Sequence, residues 1–256
     1  MKSQIATCAV LAASLAVWGC GRNEEKVVAS ETPAGTATSS ASEASANEAA
    51  LVRIIHAIPD TNSIDVLADE SPVASNIAYG TATPYREVPA NVDDFAIRPS
   101  GEPAATPLAE NSEGVMAGRH YTLVAFPGRE NGKPEIQVLT DSHEQPDSNR
   151  ARVRLINASA DLDALDVFVA GRNEAWLDDV AFREASDYQE IEGTAKEIEI
   201  RAADGKRVVA KPDVRIEPGK SYTIVVTGKA DGSPRLNALV IEDQVLGTAP
   251  APQPTN

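Results

Sequence analysis

The chain has 256 residues with 23 basic and 38 acidic side chains, a formal charge of −15. That balance excludes a phosphate-backbone binder, because an acidic surface repels nucleic acid. Hydrophobic residues make up 42% but aromatics only 4%, so any core is built mainly from Val, Ile, Leu and Ala. Gly (16) and Pro (17) fall between short apolar runs, the spacing of β structure rich in turns.

The first element is an export signal. Lys2 supplies a short positive start, and Ile5 to Trp18 is an uncharged, mostly apolar run. The run is too short to span a bilayer and has the length of a signal-peptide core. Its end, "AVWGC", resembles the lipobox of bacterial lipoproteins. Val17, Trp18 and Gly19 then precede Cys20, the residue that would be lipidated. Cysteine usage agrees. The other cysteine, Cys8, lies in the segment that would be removed, so no disulfide can form in the mature chain. An acyl anchor holds a protein to a membrane surface without a transmembrane span. Gly21 follows Cys20 where Asp resembles an inner-membrane retention signal, which directs the expectation to the outer membrane.

Residues 20–50 hold the lipidated cysteine and a stretch dominated by Ala, Ser, Thr, Glu and Gly. Such a composition cannot bury enough surface to offset its ordering entropy, so the reading is a disordered tether. The final residues, 244–256, read as a disordered tail.

Between them one module occurs twice. "VRIIHAIPDTNSIDV" (52–66) lies over "VRLINASADLDALDV" (153–167), "NIAYGTATPY" (76–85) over "DVAFREASDY" (179–188), and "AGRHYTLVAF" (117–126) over "PGKSYTIVVT" (218–227). This ordered agreement is a tandem duplication. It places the first repeat at 51–141, a linker at 142–150 and the second repeat at 151–243. Within each copy, "FAIRP" (95–99) and "IEIRA" (198–202) alternate with period two, as half-buried strands do. "YTLVAF" and "YTIVVT" are uncharged β-branched and aromatic runs suited to a buried strand. No window shows a clear amphipathic helical period. The expected fold is all-β: two tandem antiparallel, immunoglobulin-like β-sandwich domains of six or seven strands each. The repeated phrases resemble the domain-of-unknown-function family 4397, a β-sandwich module of bacterial exported proteins, often in tandem and on lipoproteins. The resemblance implies a fold and a location but no activity.

Chemistry is sparse. His56, His120 and His143 are scattered, and Asn157 and Ser221 stand in for the first two in the second copy. There is no nucleophile elbow and no glycine-rich phosphate loop. One acidic pattern recurs: Asp60, Asn62 and Asp65 lie over Asp161, Asp163 and Asp166. Short-spaced oxygens suit Ca²⁺, but three fall short of the six to eight ligands it takes. The preferred reading is structural. Asp60 and Asp161 bond their own turn backbone, and Asp65 and Asp166 face solvent or brace a loop. Tyr121 and Tyr222, three residues after Gly118 and Gly219, read as tyrosine corners, ring in the core and hydroxyl on nearby backbone. Trp176, over Val73, reads as partly buried core, with stacking on a sugar as the alternative. The functional expectation is a non-catalytic binding or structural module of the cell envelope, with no cofactor and no enzymatic activity. Its partners would be the membrane, through the lipid, and an envelope protein or polysaccharide. Alternatives are a Ca²⁺-dependent adhesin, a polysaccharide-binding module, or an accessory subunit of an envelope enzyme.

Overall fold

The computed structural model describes residues 49–243 except 130, 131, 143, 170, 171, 193–196 and 204–206. All of them belong to one compact unit, Thr38–Asn256. Cys20, most of the tether and the tail lie outside the described residues, as does His143.

The first half contains β1 (Ala49–His56), β2 (Ser63–Ala68), β3 (Ser71–Ala78), β4 (Arg86–Pro89), β5 (Phe95–Pro99), β6 (Ala109–Asn111), β7 (His120–Phe126) and β8 (Glu135–Thr140). The second contains β9 (Arg150–Asn157), β10 (Ala164–Val169), β11 (Leu177–Ala181), β12 (Gln189–Glu192), β13 (Ile198–Ala202), β14 (Val208–Ala210), β15 (Ser221–Thr227) and β16 (Asn237–Asp243). Each half is a sandwich of two four-stranded sheets. In the first, β4-β1-β7-β8 faces β3-β2-β5-β6; in the second, β12-β9-β15-β16 faces β11-β10-β13-β14. The protein is all-β, and its pairing is antiparallel apart from one pair in each half. There β1 runs parallel to β7 and β9 parallel to β15, with Val52 opposite Tyr121 and Val153 opposite Tyr222. The repeated "VR" and "YT" phrases are therefore neighbours in space.

Each sandwich has its own core. Val52, Ile54, Ile64, Val66, Phe95, Ile97 and Leu123 fill the first, and Val153, Leu155, Leu165, Val167, Ile198, Ile200 and Ile224 the second. Period two makes this possible: alternate residues of β1, β2, β5 and β7 point to the same side. Trp176 is partly buried against the second core.

The other faces of β1, β7, β9 and β15 do not meet water. Every residue of β7 and β15 is buried. Ile55, Ala57, Val124 and Phe126 of the first half form a third cluster with Ile156, Ala158 and Val225 of the second. The two inner sheets thus pack against each other, and the order of layers is outer, inner, inner, outer. Burying a side chain of this size contributes about 1.5–3 kcal/mol. The duplicated phrase is uninterrupted in its burial because it has a core on one side and the other half on its second side.

The phrase also closes its own first turn. His56 Nε2 lies 2.9 Å from Thr61 O, and Ile58 N donates to His56 Nδ1 at 3.3 Å. These partners assign a neutral ring with its proton on Nε2. In the second half Asn157 does the same work: its Nδ2 donates to Leu162 O at 3.4 Å, and Ser159 N donates to its Oδ1 at 3.2 Å. Thr61 and Leu162, like Ile58 and Ser159, occupy the same places in the two copies.

Burial pushes the His56 imidazole down from 6.5 to about 4, against a smaller upward effect of its bond to Thr61. As pH falls, the unfolded chain takes up this proton first. The stability held by neutral His56 is complete above pH 6.5 and is lost as pH falls towards 4, by about 3 kcal/mol over that window. His56→Asn, which copies Asn157, is expected to keep the turn and flatten this slope. Urea midpoints at pH 7 and pH 4.5 for both proteins check it; an identical slope would show that His56 is not the sensor.

Candidate functional site

A group of buried polar side chains sits between the two halves, on the facing surfaces of the inner sheets. It is built twice. Arg53 of β1 and Arg154 of β9 alternate with core residues, so their side chains leave their own sandwich and enter the other half's surface. Thr122 and Thr223, next to them on the parallel strands, project the same way. Asp141 and Asp243 stand at the ends of the adjacent strands, bonded to those threonines: Thr122 Oγ1 donates to Asp141 Oδ2 at 2.7 Å, and Thr223 Oγ1 approaches Asp243 Oδ2 at 2.8 Å. All six are nearly inaccessible to solvent.

The charges then pair crosswise. Arg53 Nη1 is 2.6 Å from Asp243, and Arg154 Nη2 is 2.5 Å from Asp141. Arg53 Nε donates to Thr122 and its Nη2 to Thr223, at 2.7 and 3.1 Å; Arg154 mirrors this with Thr223 and Thr122, at 3.0 and 3.2 Å. Two tyrosines close the ends. Tyr85 Oη donates to Asp141 at 2.6 Å while its ring lies 5.2 Å from the Arg53 guanidinium. Tyr188 Oη donates to Asp243 at 2.9 Å while its ring lies 4.8 Å from the Arg154 guanidinium. Burial alone would raise the Asp141 carboxyl. The Arg154 and Arg53 guanidinium groups, with bonds from Tyr85 and Thr122, instead hold it below the ordinary carboxylate range. Burial pushes the hydroxyls of Tyr85 and Tyr188 well above the usual phenol range. The cluster is a charge-balanced lock in which each acid and each base already has its partners.

More contacts cross at the rim. Lys229 Nζ meets Asp60 at 2.6 Å, and Arg129 meets Asp163 at 3.1 Å. Arg183 pairs with Glu135 and donates to Pro127 O and Lys133 O. Tyr79 Oη lies 3.2 Å from Thr227 Oγ1, and Thr227 Oγ1 donates to Ala57 O at 3.0 Å.

The residues singled out by the recurring acidic pattern separate here. Asp60 and Asp163 pair across the two halves, and Asp161 accepts Ala230 N at 2.8 Å, from the loop after β15. Asp60 and Asp161 thus reach the β15–β16 loop rather than their own turn backbone, because the turn after β1 or β9 packs beside that loop. Asp65 and Asp166 act on the bulge of the next strand. Asn76 and Asp179 both have φ of 55°, and their amides donate to Asp65 Oδ1 at 2.7 Å and Asp166 Oδ1 at 2.9 Å. Asn and Asp are the side chains that best tolerate this left-handed backbone. Asn62 contributes its carbonyl, which accepts Tyr79 N at 2.9 Å. Among the described residues no three His, Cys, Asp or Glu side chains converge as metal ligands. Tyr121 Oη accepts Met116 N at 3.0 Å, and Tyr222 Oη accepts Glu217 N at 3.2 Å, with both rings buried.

Sequence reasoning missed Arg53, Arg154, Asp141, Asp243, Tyr85 and Tyr188 as a group. Their signal was present: Arg53 and Arg154, like Tyr85 and Tyr188, stand at matching places of aligned phrases, Asp141 and Asp243 stand at the end of each repeat, and an Arg between apolar neighbours in a strand buried on both faces calls for a buried acid.

The sequence profile described as "Domain of unknown function (DUF4397)" matches residues 50–168 and 151–253. No curated protein matches the chain. Among solved structures, the C-terminal domain of AlgF from P. aeruginosa is similar at 20% identity, over 37% of this chain and 99% of that one, with a TM-score of 0.28. CBMbc (family CBM26) from Eubacterium rectale Amy13K, in complex with maltoheptaose, is similar at 10% identity, over 77% of this chain and 97% of that one, with a TM-score of 0.25. The fimbrial anchor protein Mfa2 from Porphyromonas gingivalis is similar at 10% identity, over 75% and 95%, with a TM-score of 0.20. The two profile matches together cover both sandwiches, and the chain belongs to the DUF4397 family, whose domain it carries twice.

Proposed function

We propose that this protein is a cell-envelope lipoprotein of the outer membrane, anchored through Cys20, whose paired sandwiches serve as a non-catalytic binding or structural module. The observation that carries the reading is the buried lock between the halves. Burying four charges is expensive, and in some proteins such groups serve to fix a unique arrangement rather than to add net stability. Here they set the two sandwiches back to back, so that the outer sheets are presented on opposite sides of one rigid body. The reading is non-catalytic because the titratable groups that meet inside the fold are committed to one another. A lipid on Cys20 would hold this body at the membrane surface without a transmembrane span.

The anchor is tested in cells. Cys20→Ala is expected to abolish incorporation of labelled palmitate and to release the protein from the membrane fraction. Unchanged labelling would overturn the lipoprotein reading.

A further inference from the structure

The outward faces of the two outer sheets carry equivalent grooves, and the copies differ at three of the lining positions. In the second half, Glu199 and Arg201 project outward from β13, alternating with the core residues Ile198 and Ile200. Arg201 lies 4.2 Å over the Phe168 ring and donates through Nε to Glu199 at 2.8 Å. Lys211 Nζ meets the other Glu199 oxygen at 2.7 Å. The groove here is small, about 130 Å³.

Strand register identifies the equivalents in the first half. Ala96 stands opposite Leu67 and Arg98 opposite Asp65, as Glu199 stands opposite Phe168 and Arg201 opposite Asp166. Arg98 therefore keeps the place of Arg201, while Ala96 replaces Glu199 and Leu67 replaces Phe168. Glu110, opposite Ala96 on β6, takes the place of Lys211. The guanidinium has lost both its carboxylate and its ring. Its Nη1 donates to Pro103 O at 2.9 Å, and its Nε is buried without a partner. The space left is about 310 Å³, bordered by Asp69, Glu70, Asp94, Arg98, Glu110 and Ser112.

We propose that this groove is a binding site for a small zwitterion, of the size of an amino acid or dipeptide. Its carboxylate sits on Arg98, where the second half supplies Glu199, and its ammonium group faces Glu110 and the neighbouring acids. The second half shows what the conserved guanidinium position binds, and the charge reversal from Lys211 to Glu110 sets what lies beside it. A simple anion would meet four carboxylates. A simple cation would leave Arg98 unpaired and be repelled by it. The volume lies at the lower end of small-molecule sites. A partly exposed charge-assisted contact of this kind implies weak, exchangeable binding.

The assignment deepens the binding-module reading and does not depend on the lipid anchor. It is tested by calorimetric titration of the full chain in detergent with L-lysine, cadaverine and hexanoate. L-lysine is expected to bind saturably, and cadaverine, which lacks the carboxylate, and hexanoate, which lacks both ammonium groups, at least about tenfold more weakly. Arg98→Gln is expected to abolish lysine binding. Ala96→Glu, which gives Arg98 the carboxylate that Glu199 gives Arg201 but sets it opposite Glu110, is expected to abolish it too, with a cooperative melting transition showing that the fold is kept. Lysine binding undiminished in Ala96→Glu, or equal binding of all three probes, would overturn the site. A chain that incorporates palmitate and melts normally but binds no lysine would also overturn it, and would leave the anchor standing.

Discussion

Asp141→Ala is expected to destabilise the protein by about 3–5 kcal/mol, the largest effect of any single substitution in the inner layer. The reason is the charge left behind. Asp141 sits 2.5 Å from Arg154 and 3.9 Å from Arg53, and it accepts from Tyr85 and Thr122. Its removal leaves a buried guanidinium, a buried phenol and a buried hydroxyl short of acceptors, each with a desolvation cost that no water can relieve. The loss should be a lower urea midpoint with little change in the slope. Tyr85→Phe, which removes one bond and keeps the ring on Arg53, should cost only about 1 kcal/mol. A loss below about 1 kcal/mol for Asp141→Ala would mean that the lock admits water.

A fragment of residues 49–145 is expected to form a two-fold homodimer in solution. The contact between the halves is built from equivalent surfaces: Arg53 meets Asp243 and Arg154 meets Asp141. Such an arrangement is self-complementary, so Arg53 of one copy can meet Asp141 of the other. Alone, the fragment would expose Ile55, Val124 and Phe126 together with Arg53 and Asp141, each without its closer partner from the other half, and a patch of that kind drives association. Sedimentation at micromolar concentration should show the dimer, and Asp141→Ala in the fragment should remove it. A monomer that unfolds cooperatively at the stability of the intact chain would refute the equivalence of the two interfaces.

Much of the fold is legible in the chain itself. Period-two alternation marks "FAIRP" and "IEIRA" as strands with one wet face, and they are β5 and β13. The internal alignment reveals two modules before any coordinate is known, and each module is a sandwich. The strand count is slightly low, since β6 and β14 are only three residues long and carry little pattern. The partner of β1 was not legible. A strand that pairs parallel with one about seventy residues later leaves no turn signal between them, unlike a hairpin.

The site was less legible than the fold, for a related reason. "YTLVAF" is buried on both faces, and an apolar run reads the same whichever element covers its second face. Arg53 likewise reads as an outward residue between apolar neighbours. The recurring acids lie close in sequence, yet Asp60 and Asp163 find their partners on opposite halves. Local physics, in periodicity, turn chemistry and duplication, determined the strands and the two modules. Only the tertiary structure decided that the modules share an inner layer, that two arginines and two aspartates cross it, and that Arg98 lacks the carboxylate Arg201 holds. Those outcomes depend on which side chains from distant parts of the chain come within hydrogen-bond reach, and no local pattern encodes that distance.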